Sequence, residues 1–122
     1  MPLTILHVED HQIIADAVRD ALKAEGWRAV TCGNGVAALR ALTSPEPYDL
    51  IITDNEVPGV GGLDIVRHAR RLPHRAKLPI AMLSATDCRA DALRAGMDVF
   101  LRKPEDVGEL VATVARLLHR GA

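Results

Sequence analysis

Four small groups of residues in this chain of 122 have types that could do chemistry together. Glu9 and Asp10 form an acidic pair, Asp54 ends an apolar run, Ser84 ends another, and Lys103 stands just before Pro104. Three carboxylates gathered in one crevice repel one another and titrate as a coupled set unless a cation neutralises them. An oxygen-only ligand set suits a hard cation, Mg²⁺ or Mn²⁺, rather than zinc. Mg²⁺ commonly keeps several waters and takes one or two carboxylates plus a phosphate oxygen, which leaves Asp54 free for another role. An aspartate can attack phosphorus and form an aspartyl phosphate. Lys103 would then place a compact positive charge opposite the metal, and Ser84 would donate a hydroxyl hydrogen bond to a phosphate oxygen. Pro104 fits a cis peptide that aims Lys103 inward.

These residues meet only if the chain carries them to one edge. Residues 49–54 (DLIITD) carry no helical period and run straight into Pro58, Gly59, Gly61 and Gly62. They read as a buried strand that delivers Asp54 to a loop, and ligands bind beyond such carboxyl ends. Residues 3–8 (LTILHV) form a strand candidate ending at Glu9-Asp10, followed by a helix over 11–25 with Ile14, Ala17, Val18, Ala21 and Leu22 on one face. Gly26 stops it. Residues 28–32 are a short strand, and Asn34 caps a helix running to about Leu42, before Pro45 and Pro47. A third helix runs from Gly62 to about Leu72 on an inner stripe of Leu63, Val66 and Ala69. A strand over 79–83, a short helix over 87–95 ended by Gly96, and a strand over 98–101 come next. A helix over 105–119 closes the chain, with Val107, Leu110, Val111, Val114, Leu117 and Leu118 on one face. Five alternating strands and helices predict one α/β domain over residues 1–122. The expected fold is a flavodoxin-like (βα)5 parallel sheet in the order 2-1-3-4-5. In that order Glu9, Asp10 and Asp54 share one crevice, beside Ser84 and Lys103.

Composition sets the bounds. The length suits one core rather than two. Aromatics are only 2% of residues, so the core must be built from Leu, Val, Ile and Ala. The net charge of −1 gives no global field for nucleic acid or a membrane surface. No apolar run approaches the roughly 20 residues of a membrane span. Cys32 and Cys88 stand far apart and read as reduced thiols of a cytoplasmic protein.

The motifs resemble those of the receiver domains of bacterial two-component response regulators. They stand here as Val8-Glu9-Asp10, Asp54-Asn55-Glu56-Val57-Pro58 with Gly62, Leu83-Ser84-Ala85, and Phe100-Leu101-Arg102-Lys103-Pro104, and together they span essentially the whole chain. The resemblance implies that Asp54 takes a phosphoryl group from a sensor histidine kinase or a phosphotransfer protein. It implies Mg²⁺ held by Asp10, Asp54 and the backbone carbonyl of Glu56, with Glu9 acting partly through water. It pairs Ser84 with Phe100 as a switch: the hydroxyl moves to the phosphate and the ring turns inward, reshaping the face of the fourth helix, fifth strand and fifth helix. Glu56 and Thr86 match the positions that tune phosphate lifetime. The implied partner is a downstream protein or an attached effector domain, and the fourth and fifth helices are a candidate homodimer face. The chain departs from the family at Asn55, Val57 and Glu105, and in a short fourth helix. A carboxylate at Glu56 would either repel phosphate or position a water that attacks it.

Other readings compete. A Mg²⁺-dependent phosphohydrolase also uses an aspartyl phosphate, although the chain is short for one. A receiver-like interaction module that needs no phosphate is a third reading, against which the intact acidic set and Lys103 speak. His7 and His11 flank Glu9-Asp10, but a strand residue and a helix residue share no helical face, so zinc is a minor reading. Arg67, Arg70, Arg71, Arg75 and Lys77, with His68 and His74, read as a solvated helix face. Cys88 reads as inert, and Trp27 and Tyr48 as packing residues.

Overall fold

The computed structural model describes residues 3–103 and 107–120. The elements run β1 (Thr4–Val8), α1 (Gln12–Ala24), β2 (Arg28–Cys32), α2 (Gly35–Thr43), β3 (Leu50–Asp54) and α3 (Gly62–Arg71). They continue with β4 (Ile80–Ser84), α4 (Arg89–Ala95), β5 (Val99–Arg102), a 3₁₀ turn (Val107–Glu109) and α5 (Leu110–Arg120). The five strands are parallel in the order β2-β1-β3-β4-β5, as expected.

Strand alternation divides the core into two layers. Leu6, Val8, Ile51, Ile80, Met82 and Phe100 pack on α2, α3 and α4. Ile5, Leu50, Ile52, Ala81, Leu83 and Leu101 pack on α1 and α5. β3 is buried along its whole length, because it has neighbours on both edges and helices on both faces.

Asn34 caps α2, its Oδ1 accepting from the Ala37 N–H at 2.8 Å. Gly96 ends α4 in the left-handed region at φ +107°, where a Cβ is costly. Trp27 is half-buried at the start of β2, its N–H donating to the Leu22 carbonyl at 3.1 Å.

Several details differ from expectation. α1 buries Ala15, Val18 and Leu22, while Ile14, Ala17 and Ala21 face outward and Ile13 is 84% exposed. Two helices share this face of the sheet, and α1 meets it along one narrow stripe. In α3, Ile65 joins Val66 and Ala69 in the core and Leu63 is half-buried. α5 starts at Leu110, after the 3₁₀ turn, and buries Leu110, Thr113, Val114 and Leu117. Residues 104–106, with the Lys103–Pro104 peptide expected as a cis candidate, and the Val107 side chain lie outside the described residues.

The basic run from α3 to Lys77 is not a solvated face throughout. Arg67, Arg71 and Lys77 are exposed, but Arg75 is 4% exposed. Its guanidinium donates to the carbonyls of Leu42 (3.0 Å), Ser44 (2.9 Å) and Glu46 (2.6 Å) and lies 5.0 Å from the Tyr48 ring centre. The Leu42 and Ser44 carbonyls lie at the end of α2, where helical partners run out, and Glu46 follows in the loop, so Arg75 caps that helix end from another segment. Arg70 donates to the Gly96 carbonyl at 2.8 Å and the Leu78 carbonyl at 2.6 Å, and pairs with Asp98 at 3.0 Å. Planar five-donor guanidinium suits such multiple carbonyl contacts, where an ammonium would not.

Candidate functional site

Parallel pairing brings the carboxyl ends of four strands to one edge. Val8 lies beside Thr53, Asp54 beside Leu83, and Ser84 beside Arg102. The residues that follow or end these strands therefore converge: Glu9 and Asp10, Asp54, Ser84, and Lys103.

Asp54 is 5% exposed and Glu9 is 2% exposed, whereas Asp10 faces the open side. The Lys103 ammonium bridges the two buried carboxylates, at 2.5 Å from Asp54 Oδ2 and 2.9 Å from Glu9 Oε1. Asp54 Oδ1 accepts from the Glu56 N–H at 3.1 Å, and Glu9 Oε2 from the His11 N–H at 3.3 Å. Ligand oxygens of Glu9, Asp10 and Asp54 lie within 4.8 Å of one another. Among the described residues this is the one group with metal-ligand spacing, and it contains neither His7 nor His11. One ammonium against three carboxylates leaves a negative excess, and the donors are all oxygen, so the crevice fits a hard divalent cation.

The loop that shapes Asp54 depends on Gly62. A Cβ there would fall 2.5 Å from the Asp54 carbonyl oxygen and 2.7 Å from Asn55 Cα. The Gly62 N–H donates to the Asn55 carbonyl at 3.0 Å, which folds the loop back onto the end of β3.

The electrostatics follow from burial and contact. Burial, helped by the Glu56 carboxyl, pushes Asp54 up to about 6, against the pull of Lys103. Burial alone would lower Lys103, but its bonds to Asp54 and Glu9 raise it, so it stays charged. His7, buried in β1 and within the field of Glu9 and Lys103, is pushed down to about 4 by burial and keeps an unpaired Nδ1.

Ser84 does not join the carboxylate bridge. Its hydroxyl donates to Glu56 Oε1 at 2.9 Å, and the Thr86 hydroxyl donates to the same oxygen at 2.8 Å. With both hydroxyl protons directed to Glu56, the 3.0 Å contact between Ser84 and Thr86 oxygens carries none. The Thr86 N–H donates to Ser84 Oγ at 3.1 Å and closes the ring. Burial opposes ionisation of Glu56, yet contacts from Asp54, Thr86 and Ser84 hold its carboxyl below the usual range. Phe100, on β5, is buried, and the Arg89 guanidinium at the start of α4 lies 5.2 Å from its ring centre.

The predicted carboxylate, hydroxyl and lysine residues therefore lie at this edge, in two adjoining groups. Glu9, Asp10, Asp54 and Lys103 form the carboxylate crevice. Glu56, Ser84 and Thr86 form a hydroxyl–carboxylate cluster beside it, with Phe100 one strand away. Sequence reasoning missed Lys103 as the partner of Glu9, and it missed Arg89 altogether. The Lys-Pro spacing marks Lys103 but not its second acceptor, and an exposed helix arginine carries no signal of what it covers.

A family model described as the response regulator receiver domain matches residues 5–115. The chain belongs to the response regulator receiver family. Receiver domains serve phosphorylation-based signalling in two-component systems. The chain is 34% identical to the probable transcriptional regulatory protein TcrX of Mycobacterium tuberculosis, over 98% of this chain and 51% of that protein. It is 38% identical to the response regulator protein PmrA of Pseudomonas aeruginosa, over 97% and 53%. This receiver thus spans about half the length of the curated relatives it matches. A solved receiver domain of the P. aeruginosa sensor histidine kinase PA1611 superposes with a TM-score of 0.87 at 28% identity, covering 98% of this chain and 99% of that one. That crystal structure has a magnesium ion coordinated in the active-site cleft.

Among the described residues, no helix of this receiver is long and apolar enough to cross a membrane.

Proposed function

We propose that residues 1–122 form one receiver that switches by phosphorylation at Asp54. The observation that carries this is the Asp54 carboxylate at the end of the central strand, held at 2.5 Å by Lys103 inside an acidic crevice. An Asp54 oxygen bonds to phosphorus, the P–N bond of a phosphohistidine breaks, and the departing imidazole keeps the electron pair and takes a proton. The phosphohistidine belongs to a sensor histidine kinase or a phosphotransfer protein. Lys103 follows the phosphoryl oxygens as they take on charge.

Asp10, Asp54 and the Glu56 backbone carbonyl would hold Mg²⁺ (or Mn²⁺, of the same hard class), with Glu9 contributing through water. The bound cation supplies charge neutralisation on the phosphoryl oxygens. Glu9 also orients Lys103 through the 2.9 Å contact. Ser84 then bonds a phosphoryl oxygen, and Phe100 conveys the change to the surface of α4, β5 and α5. There a downstream protein, an attached effector domain or a second copy reads it. Thr86 and Glu56 border the phosphoryl position and set its lifetime. The domain turns over no other substrate and works in the cytoplasm.

The test is incubation with acetyl phosphate and Mg²⁺, read by intact mass. One added phosphoryl group is expected, and Asp54→Asn abolishes it. Labelling that survives the substitution overturns the assignment.

A further inference from the structure

We propose that Glu56 is an internal stand-in for the phosphoryl group, holding the Ser84 and Thr86 hydroxyls, and through Ser84 the inward Phe100 ring, before any phosphorylation occurs. The inference rests on the reading of Asp54 as the phosphoryl acceptor and of Ser84 and Phe100 as the switch.

The geometry carries it. A phosphoryl oxygen on Asp54 would need the Ser84 hydroxyl proton, and that proton already points to Glu56 Oε1 at 2.9 Å. The Thr86 hydroxyl proton is directed to the same oxygen at 2.8 Å. One carboxylate oxygen therefore takes the Ser84 proton that a phosphoryl oxygen would need, and the Thr86 proton with it. Glu56 reaches this position because its own N–H is bonded to Asp54 Oδ1 at 3.1 Å, which fixes its backbone two residues beyond the acceptor.

The far end of the switch agrees. Phe100 is only 4% exposed, and Arg89, the first residue of α4, covers its ring at 5.2 Å. With the Ser84–Thr86 segment drawn toward Glu56, the ring stays inside and α4 is clamped above it. A charged side chain fits this role better than a neutral one, since charge-assisted hydrogen bonds are roughly twice as strong as neutral ones.

Phosphorylation in this receiver then exchanges one anion for another. The phosphoryl group takes over Ser84, and like-charge repulsion sends Glu56 outward. Glu56 can leave at little cost, because its residue is already exposed to solvent. The consequence is a small structural difference between the two forms and a high basal population of the inward state.

The chain contains a single phenylalanine, Phe100, so incorporating fluorophenylalanine gives one ¹⁹F resonance at the switch. Spectra are compared for the wild type, Glu56→Ala and Glu56→Gln, each without additions and with Mg²⁺ plus beryllium fluoride, a phosphoryl mimic. The unmodified wild type should lie close to its beryllium fluoride position. Glu56→Ala should move the unmodified resonance toward the solvent-exposed value and broaden it, and beryllium fluoride should restore it. Glu56→Gln should fall between, since its amide oxygen still accepts. Identical unmodified resonances in wild type and Glu56→Ala overturn the proposal. Failure of Asp54 to gain a phosphoryl mass overturns the acceptor reading instead, and the two unmodified spectra still decide whether Glu56 holds the ring.

Discussion

Removing the charge of Asp54 should stabilise the fold when divalent metal is absent. Burial lifts the Asp54 carboxyl from an ordinary value of 3.8 to about 6. A carboxyl whose pKa rises on folding favours the folded state below its unfolded pKa, near 4. It gives up that stability as the pH rises through about 6. A rise from 3.8 to about 6 corresponds to roughly 3 kcal/mol at pH 8. The crevice opens to solvent on its Asp10 side, and screening trims this to about 1–2 kcal/mol. Asp54→Asn keeps the shape and removes the buried charge, while Lys103 retains Glu9 at 2.9 Å. In EDTA at pH 8 the variant should therefore melt about 4–8 °C above the wild type. The gap should narrow to about a third as the pH falls to 4.5. Millimolar Mg²⁺ should raise the wild type by about 2.7 kcal/mol at a hundred times its dissociation constant, and the variant much less. Thermal unfolding followed by circular dichroism across pH 4.5–8, with EDTA or Mg²⁺, makes the measurement. A variant less stable than wild type at pH 8 in EDTA, or a gap that does not depend on pH, would refute the reasoning.

Two further substitutions test the framework around the site. Arg75→Ala leaves the Leu42, Ser44 and Glu46 carbonyls without their buried donor. It should cost about 3–5 kcal/mol in urea unfolding, with Arg75→Lys recovering less than half; a loss below about 1 kcal/mol contradicts the capping role. Gly62→Ala drives a Cβ to 2.5 Å from the Asp54 carbonyl oxygen, whereas Gly33→Ala meets nothing within 4 Å. The first should destabilise by about 3 kcal/mol and slow acetyl phosphate labelling, the second neither; equal behaviour of the two counts against the loop argument.

The framework of this fold is legible in the sequence because its rules are local. Short apolar runs such as residues 50–53 have no helical period, and a parallel β/α order sends every strand end to one edge. That suffices to bring Glu9, Asp10, Asp54, Ser84 and Lys103 together. What stays hidden are contacts made to backbone, or across many residues. Arg75 bonds a carbonyl 33 residues away, and a carbonyl leaves no mark on residue type. Its place in a run of basic residues points to solvent, the opposite of where it sits. The outward turn of Ile14 is hidden for a related reason. An apolar residue one position off the stripe looks the same in sequence as one on it, and only packing against the sheet fixes the rotation of α1. The sequence shows Glu56 as a carboxylate beside the acceptor, but not the sense of its effect. Whether a carboxylate two residues after Asp54 meets phosphate, water or hydroxyl depends on where β4 places Ser84 and Thr86.

Trp27 has a practical consequence. It is the chain's one tryptophan and stands at the amino end of β2, the edge opposite Asp54. Five residues of strand, roughly 16 Å, separate the two edges. The indole is packed with the α1 layer, so its emission follows the loosening of that layer and is blind to charge arriving at the carboxylates. The molecule thus carries a built-in optical gauge of global folding that leaves the acidic crevice dark.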